Sequence, residues 1–140
     1  MIRLTRRYRF SASHRLHSDF FSDAENEQLY GKCNHPFGHG HDYVLEVSVA
    51  GPVDAHNGTA VLLPALDKLV DKSVVSQFEH RDLNSEVPEF ADRVPTSENL
   101  VRVIEERLKA NWASSFPLAW PRLDKIRLLE TKRNLFEQTT

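Results

Sequence analysis

Gly31-Lys-Cys-Asn-His-Pro-Phe-Gly-His-Gly-His-Asp-Tyr43 runs straight into Val44-Leu-Glu-Val-Ser-Val-Ala50, and the reading of this passage decides the fold and locates the chemistry. Tyr43, Leu45, Val47 and Val49 recur at every second position, the period of a β-strand with one buried face. His39 and His41 fall on the same parity, so the strand from about His39 to Ala50 points both imidazoles the way its core residues point. Two positions apart along a strand is about 6.6 Å. Both rings can therefore swing toward a single ion at roughly 2.0–2.1 Å, and Gly40 between them adds no side chain. The chain's only cysteine, Cys33, lies just upstream.

Working outward, the segment Ile2 to His14 alternates in the same manner. Ile2, Leu4, Tyr8, Phe10 and Ala12 hold the even positions and Arg3, Thr5, Arg7, Arg9, Ser11 and Ser13 the odd ones, with Arg6 breaking the pattern. His14 has the parity of the apolar face, so its imidazole is expected to point inward at the strand end. Ser18 to Gln28 reads as a loop or short helix. Beyond Gly51-Pro52, Pro64 suits a first helical turn, and Leu66, Leu69, Val70, Val74 and Phe78 follow helical spacing. Thr96 is placed to cap a second helix with Glu98 in its first turn and a stripe of Leu100, Val101, Ile104 and Leu108. Leu123 to Thr131 and Asn134 to Gln138 read as two final strands.

The order β-β-α-α-β-β predicts an α+β fold: an antiparallel sheet with two helices on one face. A four-stranded open sheet has edges to protect, and pairing with other copies would close them in an oligomer. At 140 residues a single domain spanning 1–140 is expected. Hydrophobic residues at 40% and charged ones at 27% fit a soluble globular chain rather than a disordered or membrane one. A formal charge of −2 gives no support to a nucleic-acid surface. One cysteine makes no intrachain disulfide, and the start lacks the apolar core of a signal peptide, so the expectation is cytoplasmic, with no membrane partner.

His14, His39 and His41 together offer three neutral nitrogen ligands. Three protein ligands with an open fourth position make a catalytic zinc site, whereas Cys33 as a fourth would close it into a structural one. Spacing alone leaves both open. Off the metal, Cys33 is a base or nucleophile whose pKa nearby cations would lower. Glu79-His80 offers a carboxylate beside an imidazole, although neighbours in a strand face apart, and a relay requires His80 to meet Cys33 or substrate across the fold. Glu130 shares the parity of Ile126 and Leu128. A carboxylate on an apolar face needs a partner, with Arg127 or Lys132 ranked ahead of a substrate N–H pair.

Phe10-Ser-Ala-Ser-His14-Arg-Leu, Gly31-Lys-Cys33 through His39-Gly-His41-Asp-Tyr, Glu79-His80-Arg-Asp-Leu-Asn, Pro95-Thr96-Ser97-Glu98-Asn99 and Leu129-Glu130-Thr131 resemble, in order, the 6-pyruvoyltetrahydropterin synthase family, which also includes 6-carboxytetrahydropterin synthases. The resemblance covers nearly the whole chain. It implies the tunnelling fold, with subunits joined into a barrel as trimers and hexamers and active sites built between subunits. It implies Zn2+ held by His14, His39 and His41, Cys33 as the catalytic base, His80 with Glu79 as relay, and Glu130 as anchor of the pterin ring, with Thr96 and Ser97 lining the pocket near it. The implied reaction turns 7,8-dihydroneopterin triphosphate into 6-pyruvoyltetrahydropterin with loss of triphosphate and no redox cofactor. Arg9, Arg15, Lys32 and Arg81 are candidates for the triphosphate.

Two positions depart from the family pattern. Glu79 stands where Asp is usual, and Leu62-Leu63 replace a frequent Asp or Asn before the helix. Five residues separate Cys33 from His39, a spacing that favours the pyruvoyl product over the 6-carboxy product with its released acetaldehyde. Cleavage of dihydroneopterin, a zinc hydrolase using Glu79, and a non-catalytic zinc oligomer closed by Cys33 are the alternatives.

Overall fold

The computed structural model describes residues 1–140. Its elements are β1 (Ile2–His14), α1 (Asp23–Tyr30), a 3-10 turn (Gly31–Asn34), β2 (His39–Gly51), α2 (Leu63–Val70), α3 (Ser76–Phe78), β3 (Arg81–Asp82), α4 (Leu83–Glu86), α5 (Ser97–Ser115), β4 (Arg122–Leu129) and β5 (Leu135–Thr139). A π turn at Asp71–Val75 joins α2 to α3.

The strands form one sheet in the order β3-β1-β2-β4-β5. β1 and β2 pair antiparallel along their whole length, from Ile2 opposite Gly51 to His14 opposite His39. β4 continues the antiparallel ladder on the other side of β2, and β5 follows β4. The sheet departs from the expected purely antiparallel one, because β3 runs parallel to β1 through Ala12 with Arg81 and Ser13 with Asp82. His80 causes this: its φ of 57° is in the left-handed region, and its N–H donates to the Ser11 carbonyl at 2.7 Å, laying the next residues alongside β1.

Even residues of β1 and odd residues of β2 face the helices. Phe10, Tyr43, Leu45, Val47, Ile126 and Leu128 are buried with Leu66, Leu69 and Val70 of α2 and Leu100, Ile104 and Leu108 of α5. β2 is covered on both faces, since Glu46 and Ser48 on its other side are buried too. Glu46 accepts from Arg7 at 2.7 Å and meets Arg127 at 3.4 Å, and Ser48 shares a 2.7 Å hydrogen bond with Thr5. Arg6, which breaks the β1 pattern, reaches Asp67 of α2 with two hydrogen bonds of 3.1 and 3.0 Å, and Tyr8 donates to the same carboxylate at 2.8 Å. That guanidinium holds the Asp67 carboxyl below its ordinary range.

Local signals account for the helix ends. Ser22 and Glu25 form a reciprocal capping box on α1, and Thr96 caps α5 by accepting from the Asn99 N–H. Leu62, in the cap position of α2, makes no side-chain cap bond, and Pro64 in the first turn removes one of the donors a cap would satisfy. The Ser18 to Gln28 segment is a loop entering α1, organised by buried Asn26. Its amide donates to the carbonyls of Ser18, Phe21 and Ser22 and accepts from the Ser18 N–H. No helix is long and apolar enough to cross a membrane.

Candidate active site

The paired ends of β1 and β2 bring three imidazoles together. Ring centroids lie 5.0 Å apart for His14 and His39, 5.0 Å for His14 and His41, and 4.6 Å for His39 and His41. The register explains this: His14 is opposite His39, and His41, two residues on, shares the same face.

His14 is 1% exposed, and its Nδ1 donates to the Pro95 carbonyl at 2.9 Å. Nε2 is thereby left as the lone-pair nitrogen, and it has no partner. A buried acceptor with nothing to accept from is unfavourable unless something fills the place. His39 Nε2 is 2.8 Å from His41 Nε2, and Cys33 Sγ is 3.6 Å from His39 Nε2. The donor atoms of His14, Cys33 and His39 all lie within 4.8 Å of one another. Burial lowers the pKa of His14 and of His39, which keeps both in the neutral, ligating form. Three imidazoles and a thiol are a donor set for Zn2+, and the orphaned Nε2 of His14 is the atom such an ion would satisfy.

His39 and His41 of the cluster, but not His14, line a cavity of about 1100 Å³ together with Arg15, Asp23, Glu27, Lys32, Asn34 and His35. Cys33 sits at its wall in the 3-10 turn, and burial, then the charge of Glu130, push its thiol pKa up. Of the triphosphate candidates, Arg15 and Lys32 line this cavity, Arg81 lines a smaller one, and Arg9 lines neither.

Glu130 follows the end of β4 and lies 3.4 Å from His41 Nε2 through Oε1, while Oε2 accepts from Ser97. The expected pairing with Arg127 or Lys132 does not form. Arg127 faces the other side of the sheet, toward Glu46 and Glu137. Ser97 is buried in the first turn of α5, so α5 delivers Ser97 to Glu130 and Thr96 to the helix cap. Glu130 adjoins the cluster through His41, and neither it nor Thr96 nor Ser97 is among the residues lining the larger cavity.

Glu79 and His80 are placed elsewhere. Their side chains meet, with His80 Nε2 3.0 Å from Glu79 Oε1, against the expectation that neighbours face apart. The left-handed backbone at His80 removes the strand alternation on which that expectation depends. The His80 side chain is 81% exposed and lines the smaller cavity with Ser11, Ser13, Asp42 and Arg81; His41 lines both cavities, Cys33 only the larger. Three contributors lie within the family-like stretches but have no role legible there: the Pro95 carbonyl that orients His14, the Asn34 side chain in the Cys33 turn and the Asn84 side chain that bonds to Arg15. Tyr43 reads from its parity as a core residue alone, yet its buried hydroxyl has no partner.

A family model for 6-pyruvoyl tetrahydropterin synthase matches residues 3–140. The 6-pyruvoyl tetrahydrobiopterin synthase of Poecilia reticulata is 42% identical over 132 residues, 94% of this chain and 86% of its own length. That of Homo sapiens is 40% identical over 132 residues, 94% of this chain and 87% of its own. The solved 6-pyruvoyl tetrahydropterin synthase of Caenorhabditis elegans superposes with a TM-score of 0.90 at 37% identity, covering 99% of this chain and 95% of that one. The fold is thus that of this synthase, and at the end of its central strands stands a His14, Cys33 and His39 donor group able to hold a metal ion. The chain belongs to the 6-pyruvoyl tetrahydropterin synthase family.

Proposed function

We propose that the protein is a zinc-dependent lyase that converts 7,8-dihydroneopterin triphosphate to 6-pyruvoyltetrahydropterin with elimination of triphosphate. The observation that carries this is the convergence of His14, His39 and His41 beside Cys33, with Cys33, His39 and His41 lining one large cavity. The similarity to 6-pyruvoyl tetrahydropterin synthases over nearly the whole chain supports the pyruvoyl product.

His14, His39 and His41 would hold the ion, leaving Cys33 free. The Pro95 carbonyl fixes the His14 tautomer this role needs. Zinc bound there supplies Lewis acidity to the side-chain hydroxyls of the substrate, the effect that takes bound water from about 15.7 to about 7. Cys33 Sγ takes and returns a proton on the cavity side of the substrate side chain. Glu130, with one oxygen held by Ser97, offers the other to an N–H donor of the pterin ring. Thr96 holds the start of α5 so that Ser97 keeps its place. Arg15 and Lys32 face the triphosphate.

Glu79 and His80 act as the second proton-moving pair toward the Cys33 cavity of another copy. The exposure of His80 beside edge strand β3, and the absence of Glu79 and His80 from the lining of the cavity that holds Cys33, support that placing. The assembly is a homo-oligomer, trimer or hexamer, in which the edges of the sheet pair and close into a barrel. The whole of 1–140 acts as one cytoplasmic domain with a small-molecule substrate and neither nucleic acid nor membrane as partner.

The test is mass-spectrometric product analysis with zinc-loaded protein and dihydroneopterin triphosphate. The 6-pyruvoyl product with released triphosphate is expected, and acetaldehyde among the products would overturn the assignment.

A further inference from the structure

The turn that carries Cys33 is bonded to the rest of the molecule at few places. Within it, His35 N–H donates to the Lys32 carbonyl and Gly38 N–H to the His35 carbonyl, and Gly31 N–H closes onto Glu27 of α1. Besides the Cys33 contact with His39 and the Gly31 bond to α1, the side-chain and loop hydrogen bonds that leave the turn reach Arg15, Leu16 or His17. Leu16 N–H donates to the Cys33 carbonyl at 2.8 Å. Arg15 Nε donates to the Asn34 carbonyl at 3.1 Å. Asn34 Nδ2 donates to the Leu16 carbonyl at 2.7 Å and to His17 Nδ1 at 3.0 Å. Cys33 is therefore placed by α1 on one side and by the backbone of Arg15 and Leu16 on the other.

That backbone has left the ladder, since β1–β2 pairing stops at His14 opposite His39. Asn84 replaces the missing strand partner: its Oδ1 accepts from Arg15 N–H at 2.7 Å, and its Nδ2 donates to the Arg15 carbonyl at 2.9 Å. A side-chain amide can satisfy both groups of one residue in this way, because it carries one acceptor and one donor side by side. Asn84 itself is anchored, lying in α4 directly after β3, which pairs with Ala12 and Ser13. At the far end of the turn, Gly38 has φ 70°, and a Cβ there would stand 2.7 Å from the His14 carbonyl oxygen. The turn is thus pressed against His14 at one end and hung from Arg15 and Leu16 at the other.

We propose that Asn84 is a positioning residue which, by clamping both backbone groups of Arg15, sets the distance between the Cys33 thiol and the histidine cluster. The inference rests on the reading of Cys33 as the proton-moving group beside a zinc site. A displacement of about 1 Å in such a group costs on the order of 100-fold in rate, so two hydrogen bonds remote from substrate carry weight in turnover.

Cys33 is the only cysteine, so iodoacetamide alkylation reports on it alone. In Asn84→Ala, zinc stoichiometry and affinity are expected to stay as in the unaltered protein, because His14 keeps its Pro95 bond and its place opposite His39. The effect of zinc on the rate of Cys33 alkylation should shrink by about threefold or more, and kcat should fall ~10- to 100-fold with KM within about twofold. Asn84→Asp keeps an acceptor for the Arg15 N–H and should recover part of both losses. If the alanine variant does not fold, Asn84→Ser, too short to reach both groups, takes its place with the same measurements and the same expected changes. Unchanged zinc dependence of alkylation together with unchanged kcat would overturn the proposal. So would loss of zinc, which would put the clamp in the service of the ligands. The alkylation arm needs no substrate, so it reads the clamp even where the unaltered protein fails to turn over the proposed one.

Discussion

β2 buries polar groups at two places, and they are treated in opposite ways. On the outer face at mid-strand, Glu46 is met by Arg7 and Arg127 and Ser48 by Thr5, so the buried oxygens of β2 there have partners from flanking strands, with Arg127 Nε the one buried atom beside them left without a hydrogen bond. On the inner face at the end of the ladder, His14 Nε2, His39 Nδ1 and the Tyr43 hydroxyl are buried with none. A buried polar group without a partner costs about 1–3 kcal/mol, and leaving several together is tolerated where something else is to be bound. The first place is architecture and the second is a site.

The largest expected effect separates the residues within the site. Cys33→Ala should retain zinc and lose turnover by about three orders of magnitude, ~4 kcal/mol of barrier, whereas His39→Ala should lose zinc itself. Metal content by atomic emission beside steady-state rates makes the measurement. Zinc lost from Cys33→Ala would mean that the thiol is a ligand and that the site is closed.

Glu46→Ala tests the other side of the comparison. Removing a buried carboxylate that two arginines meet should cost about 2 kcal/mol in urea denaturation while zinc content stays unchanged. A loss of zinc on the same substitution would show that the two places are coupled. Tyr43→Phe should do the opposite of Glu46→Ala. It removes a hydroxyl with no partner while keeping the ring stacked on Phe10 at 5.1 Å, so the ligand-free protein should be more stable by about 1 kcal/mol. Destabilisation instead would reveal a hydrogen bond that the hydroxyl makes in solution.

The smallest effect is expected at a paired group remote from both places. The Arg107 guanidinium, hydrogen-bonded at 2.6 and 2.7 Å, holds Glu89 below the ordinary glutamate value of 4.5. A depressed carboxylate pKa stabilises the fold at pH above the unfolded value, and that stability is lost as pH falls through the folded one. Glu89→Gln should therefore cost roughly 1 kcal/mol or less at neutral pH, given the partial exposure of the pair. The difference from the unaltered protein should vanish in acid, once the pH has fallen through the depressed folded-state value. A gap that stays constant across that range would show that packing, not charge, makes the contribution.

The metal end of the site is legible in the sequence because it depends on parity. His39 and His41 share a face with Tyr43 and Leu45, His14 with Phe10 and Ala12, and a strand has only two faces to choose between. α5 and the helical run from α2 through the π turn to α3 are legible for the same reason, through their apolar spacing, although the spacing does not show the π turn that divides that run. The pairing of Glu130 is not, since Arg127, near it in sequence, points to the other face, while Ser97, 33 residues away, donates to it. The contact of Glu79 with His80 escapes parity as well, because one left-handed residue cancels the alternation on which parity depends.

The sequence by itself determined the alternation of both central strands, the helix spacings and the histidines that share the core face. All of these follow from period and residue type within a single segment. Only the tertiary structure decided that His14 lies opposite His39, that the Pro95 carbonyl selects the His14 tautomer, that β3 runs parallel beside β1, and that Asn84 holds the strand from which the Cys33 turn hangs. Each of these joins segments far apart along the chain, and a hydrogen bond between two such segments depends on a register and a chain path that local patterns do not encode.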